Sequence, residues 1–158
     1  MGEVAFTRDL LASKDIELGR EALALGWAGW HLQDVDYMRF DTIILDEYDE
    51  GMSTAHEESG EPAKEGAWMA LMYMVGYVGY YYCQTRGILC VPQSIGNVPA
   101  VDVLKYFNES FDQAVPAAAS AKGEFVLALA RVGEDGLTRE SVIDLVGQIF
   151  SESSPESQ

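Results

Sequence analysis

The side chains best equipped for chemistry in this sequence are few: two histidines, His31 and His56, and two cysteines, Cys83 and Cys90. A zinc site needs Cys and His at short, paired spacings, and none of these four stands so relative to another. The run His56-Glu57-Glu58 is similar to the start of a zinc-protease helix, but Gly60 stands where the second histidine would fall. His56 therefore reads as a solvated loop residue, and His31, directly after Trp30, as a boundary residue on a helix. Nucleophilic catalysis needs a Ser or Cys beside a positioned base, and the sequence holds no nucleophile elbow, phosphate loop or dinucleotide fingerprint. The expectation is a non-enzyme with no cofactor.

Another pattern begins at Asp46. The twelve-residue calcium loop of the EF-hand would place Gly51 at its sixth position and Glu57 at its twelfth, and both are correct. Tyr48 at the third position offers no carboxylate, and Glu50 stands at the fifth where Asp or Asn is usual. A degenerate calcium-binding loop stays open as an alternative to a plain acidic loop.

Charge carries more information than any motif. The chain has 26 Asp and Glu against 10 Lys and Arg, a net charge of −16. Between Asp34 and Glu65, about a fifth of the chain, eleven acids face only Arg39 and Lys64, so this segment holds over half of the net charge. Aromatic and apolar residues are interleaved with it: Tyr37, Met38, Phe40, Tyr48 and Met52. Such a surface repels nucleic acid and anionic membranes and steers basic proteins toward it, while aromatic and Met anchors supply affinity. Adaptation to high salt would spread acids over every exposed face instead of clustering them.

In composition, length and lack of catalytic motifs the chain resembles small acidic inhibitors of nucleases, restriction enzymes and CRISPR effector complexes, a likeness of class that rests on no shared motif. It implies an immunity or anti-defence protein whose carboxylates take the place of phosphates on a basic partner. The candidate partner-binding residues are Asp36, Asp41, Asp46, Glu47, Tyr48, Asp49, Glu50, Glu57, Glu58 and Glu61. The competing expectation is a small enzyme or ligand-binding domain with an aromatic pocket among Trp27, Trp30, Tyr73 and Tyr77. Either a monomer or a homodimer fits the sequence.

The elements that must position these residues are mainly helical: a single domain over 1–150 of about five to six helices, with a flexible acidic tail at 151–158. Ser13 can cap a first helix from Lys14 to about Asp34, with Ile16, Leu23, Trp27 and Trp30 at helical spacing. Asp41 can cap a second, shorter helix with Ile43, Ile44 and Tyr48, although 39–45 also suits a short strand pairing with 88–91. Residues 46–61 show no apolar periodicity and read as an acidic loop. A central, apolar, Tyr-rich helix spans 62–86, with Pro62 in its first turn and Gly87 as its left-handed stop. Its tyrosines run along its whole length and need hydroxyl partners, so it reads as the core of a bundle and not as a membrane span.

Val101, Leu104, Phe107 and Phe111 mark a fourth helix ended by Pro116, and Phe125, Leu127, Leu129 and Ala130 a fifth, stopped by Gly133. The sixth starts at Thr138, with Leu137 and Val142 as a hydrophobic staple and Val142, Leu145, Val146 and Ile149 as its core face. The two cysteines are too few for a disulfide framework and read as buried free thiols. With no signal segment at the start, they imply a cytoplasmic setting.

Overall fold

A computed structural model of the chain describes residues 11, 13–46, 48, 50–96, 99–115, 119–132, 136 and 138–150. Among these residues there are seven α-helices and no strands: α1 (Ile16–Trp30), α2 (Met38–Thr42), α3 (Met52–Glu58), α4 (Pro62–Thr85), α5 (Ala100–Ala114), α6 (Ala119–Val132) and α7 (Arg139–Phe150). Short 3-10 turns at Ser13–Asp15 and Gln93–Ile95 precede α1 and α5. The strand alternative at 39–45 and 88–91 is thereby overturned. No helix among the described residues is long and apolar enough to cross a membrane.

The centre is α4, which packs against α1, α3, α5 and the second 3-10 turn. It is apolar all round, so it is covered on several sides: Trp68, Leu71, Val75 and Cys83 are almost fully buried. Its ends follow local rules. Pro62 lies in the first turn, where no amide partner is lost. Gly87, at φ +68°, closes the helix as the Ile88 amide donates to the Cys83 carbonyl (2.9 Å) and the Gly87 amide to that of Gln84 (3.2 Å). The end of α1 is built in the same way, with Leu32 at φ 54° where glycine is usual. The Leu32 and Gln33 amides donate to the Gly29 and Ala28 carbonyls at 3.1 and 2.9 Å.

The glycines fix how close the helices come. A Cβ at Gly66 would meet the Ala114 nitrogen and the Ser110 carbonyl oxygen at 2.7 Å, so α4 and α5 touch backbone to backbone there. Tyr73 stacks on Tyr106 further along, which makes the pair antiparallel. On the other side Gly26 meets Met74, Gly29 meets Val78 and Trp30 meets Tyr81. These contacts advance together along both helices, so α1 and α4 are parallel.

A parallel pair obliges residues 31–61 to run back from the end of α1 to the start of α4. Phe40, fully buried, fastens this return. A Cβ at Gly29 would lie 2.6 Å from its Cζ, and one at Gly79 2.9 Å from its Cβ and Cγ. Tyr82 lies against the same ring (5.6 Å between centroids), and its hydroxyl accepts from the Val35 amide and donates to the Val35 carbonyl, both at 3.3 Å. Buried Ile43, Ile44, Met52 and Ala55 pin the remainder to a core that is one connected cluster.

Several expectations are corrected. Residues 46–61 are not one loop, because α3 lies inside them: Met52 and Ala55, one turn apart, bury an apolar edge that is too short to show as periodicity. Asp41 lies within α2 and does not cap it, and Ile43 and Ile44 follow the helix in turns. Ser13 begins the 3-10 turn, which delays α1 to Ile16. Val101, Leu104 and Leu127 are exposed, because α5 and α6 turn Phe107, Phe111 and Phe125 inward instead. Cys90 is exposed, beyond the end of α4, while Cys83 is buried as expected, and both are free.

Thr138 does cap α7, its hydroxyl accepting from the Ser141 amide (3.2 Å) while its own amide donates to Ser141 Oγ (3.0 Å). Pro116, Gly133, Leu137 and the tail 151–158 lie outside the described residues.

Two glycines on well-formed helices should respond with opposite sign in urea unfolding. Gly29→Ala drives a methyl into the Phe40 ring and Val78, and is expected to lose about 1–3 kcal/mol. Gly123→Ala, inside α6 with nothing within 4 Å of the new methyl, is expected to gain about 0.5–1 kcal/mol.

Candidate functional site

Because the return segment runs antiparallel to α1 and beside it, it lays its acids against acids that α1 already carries. Four contacts trace the path. Tyr82 holds Val35 near the end of α1, and the Arg39 guanidinium reaches Glu21 (Nε to Oε1, 2.8 Å). Asp46 and Glu50 then share a cleft with Glu17, and Lys14 Nζ meets Glu58 Oε2 at 2.6 Å at the start of α1.

The cleft is open, with a volume of about 510 Å³, and is lined on its polar side by Glu17, Arg20, Glu21, Arg39, Asp46 and Glu50. Both arginines are already engaged. Arg20 pairs with Glu17 at 2.7 Å, and Arg39 grips Glu21 while also donating to Thr42 Oγ1 at 3.1 Å. Asp46 and Glu50 are left as a carboxylate excess. Glu17 and Glu21 were missing from the expected set; they stand one helical turn apart on α1, but only the return of the chain along α1 shows what they face.

The expected set divides once placed. Asp36 Oδ1 accepts the Met38 amide (3.0 Å) and so turns the chain into α2. Asp41 accepts a hydrogen bond from Ser94 Oγ, which ties α2 to the second 3-10 turn. Asp46 Oδ1 accepts the Tyr48 amide at 2.7 Å. Glu58 is paired with Lys14, and Glu61 with Lys64 at 2.7 Å. The hydrogen bond to Glu58, helped by its charge, holds the Lys14 ammonium above its ordinary pKa. These are exposed pairs, each of small net worth.

Glu50 and Glu57 are exposed and make no ion pair among the described residues. Glu47 and Asp49 lie outside the described residues. Of the interleaved apolar residues, Phe40 and Met52 belong to the core and Tyr37 packs against it. Tyr48 (76% exposed), Leu45 and Met38 are the side chains open to solvent.

The two alternative sites fare differently. The calcium template is broken by α3, which starts at its seventh position and commits that carbonyl to the helix. Among the described residues no group of three or more acids, His or Cys is placed to hold a metal ion. The aromatic pocket does not assemble as expected: Trp27 stacks on His31, Tyr73 stacks on Tyr106, and Trp30 lies tilted against Tyr81. Tyr73 and Tyr77 do line a small cavity of about 120 Å³ with Ile95 and Val103, but neither tryptophan reaches it.

The cysteines offer a direct check on this placement. Burial raises the Cys83 thiol above its ordinary pKa and therefore lowers its thiolate fraction, whereas Cys90 is exposed. Titration of the native protein with an aromatic disulfide near pH 8 should modify one thiol quickly, lost in Cys90→Ser. Cys83 should react only at higher pH or on unfolding. No protein-family model matches the chain, and it matches no curated protein and no solved structure.

Proposed function

We propose that this chain is an acidic interaction protein, acting as an inhibitor or immunity-type binder that occupies a basic, nucleic-acid-handling surface of a protein partner. The observation that carries the reading is the convergence of two acidic stretches on one cleft: Glu17 and Glu21 from α1 with Asp46 and Glu50 from the return segment. The cleft is wide enough for long cationic side chains. Its own arginines are held by Glu17 and Glu21, so an incoming Lys or Arg meets uncompensated carboxylate at Asp46 and Glu50. Exposed Tyr48 and Leu45 beside it supply apolar contact at the same place.

In this mechanism carboxylates stand in for phosphates, and a net charge of −16 draws the partner in. The two free thiols accord with a reducing cytoplasm. Neither a bound cofactor nor a reaction enters the proposal.

Affinity capture from the native host or its competitor, read by mass spectrometry at low and high salt, tests the reading. The expected partners are basic proteins, held at about 0.05 M salt and largely released at about 0.5 M. Glu50→Gln with Glu57→Gln should slow association about three- to tenfold at low salt and leave the melting temperature unchanged. Recovery of acidic proteins alone, or unchanged association in the double variant, would sink the proposal.

A further inference from the structure

A second surface lies on the opposite side of α4. Tyr73, Tyr77 and Tyr81 follow one another at intervals of four residues, which lines three rings along roughly 12 Å of one helix face. The strip is extended at both ends by neighbouring helices: Tyr106 of α5 stacks on Tyr73 (5.6 Å, 13°), and Trp30 of α1 lies against Tyr81 (5.3 Å). Trp30, Tyr77 and Tyr106 are each about 40% exposed.

The rings cannot belong to the acidic cleft. Gly79 faces Phe40 of the return segment, and Tyr77, two residues earlier, lies about 200° round the helix from it.

No charged residue occurs from Ala67 to Thr85, so the strip is a neutral aromatic lane in a strongly acidic molecule. Its border is acidic where it meets α5. Glu109 stands one turn after Tyr106 on α5; burial raises the Tyr73 hydroxyl above its ordinary pKa, and the charges of Tyr106 and Glu109 add to the rise. Asp102 stands one turn from Tyr106 on the other side.

Flat rings edged by carboxylate suit one kind of side chain. A guanidinium stacks on an aromatic face and pairs with a carboxylate at the same time, whereas an ammonium is a strongly hydrated point charge. The chain itself sets cations on two such rings: Arg86 lies over the Tyr82 ring at 5.4 Å, and Lys105 over Tyr106 at 5.7 Å, so the α5 border carries one ammonium beside its acids. A second copy fits poorly, because it would bring Asp102 and Glu109 up to their own counterparts.

The geometry points to this strip as a second docking surface, taking arginine side chains of the basic partner by stacking on Tyr73, Tyr77, Tyr81 and Trp30. It rests on the reading of the chain as an acidic binder, and it adds a preference for arginine over lysine that charge alone would not give.

The test compares oligo-arginine and oligo-lysine peptides of equal length, titrated into the full chain calorimetrically at about 0.15 M salt. The arginine peptide is expected to bind roughly tenfold more tightly. Tyr73→Gln with Tyr77→Gln should bring the ratio close to one without weakening the lysine peptide, while Tyr73→Phe with Tyr77→Phe should keep it. Equal affinities in the native chain overturn the strip and leave the proposed function standing, and failure of both peptides to bind overturns both. A dimer seen by sedimentation that the Gln variant dissolves would give the strip to a second copy and overturn the arginine assignment.

Discussion

The parallel run of α1 and α4 governs the rest of the molecule. Two long helices that are antiparallel need only a short turn between them, but a parallel pair needs a connection that travels the length of the pair again. Residues 31–61 are that connection, and their fixed point is Phe40. Its ring fills the space left by the missing side chains of Gly29 and Gly79, one from each helix, and so wedges the return segment against the pair it connects. Burying such a ring stabilises by about 2–3 kcal/mol. Its larger effect is to fix the direction in which the segment leaves the core.

That route explains the charge. A connection over the outside of a helix pair buries few residues, here Phe40, Ile43, Ile44, Met52 and Ala55, and leaves the remainder in water. Acids are tolerated at such positions, although setting them beside Glu17 and Glu21 adds repulsion that the compact state must bear. Arg20 and Arg39 relieve part of it, each spent on one glutamate of α1. The relief stops short of Asp46 and Glu50. A protein that needed acids only for solubility would gain nothing by gathering them across a cleft from one another, and this distinction favours a partner over a solvated surface.

How much of this could be read from sequence depended on whether the signal was local. Pro62 and Gly87 act within one turn, and α4 begins and ends where they predict; Thr138 marks α7 equally well. The helix α3 was hidden because its buried edge is two residues in a polar stretch. In α5 two overlapping apolar series were available, and only the position of α4 selected Phe107 and Phe111 over Val101 and Leu104. The acidity of 34–65 was plain, but which carboxylates are free was not. Asp36 and Asp41 are taken up by a turn and a serine, and the cleft acids of α1 become relevant only through the path of the return segment.

The same constraint separates the two exposed surfaces. With α1 on one flank of α4, α5 on another and the return segment on a third, one face of the central helix stays open, and the sequence fills it with tyrosine instead of leucine or glutamate. Leucines there would expose a wholly apolar patch, whereas a tyrosine ring keeps its hydroxyl in water and still offers a rigid flat face at small entropic cost. Glutamates would extend the negative field to every side of α4 and erase the difference between its faces. Charge acts over a Debye length and brings a partner near, but a ring acts only in contact and tests what has arrived. On the proposed reading, the acidic cleft on one side of α4 would supply long-range attraction and the rings on the other short-range discrimination, with Asp102 and Glu109 bringing acids to the edge of the rings.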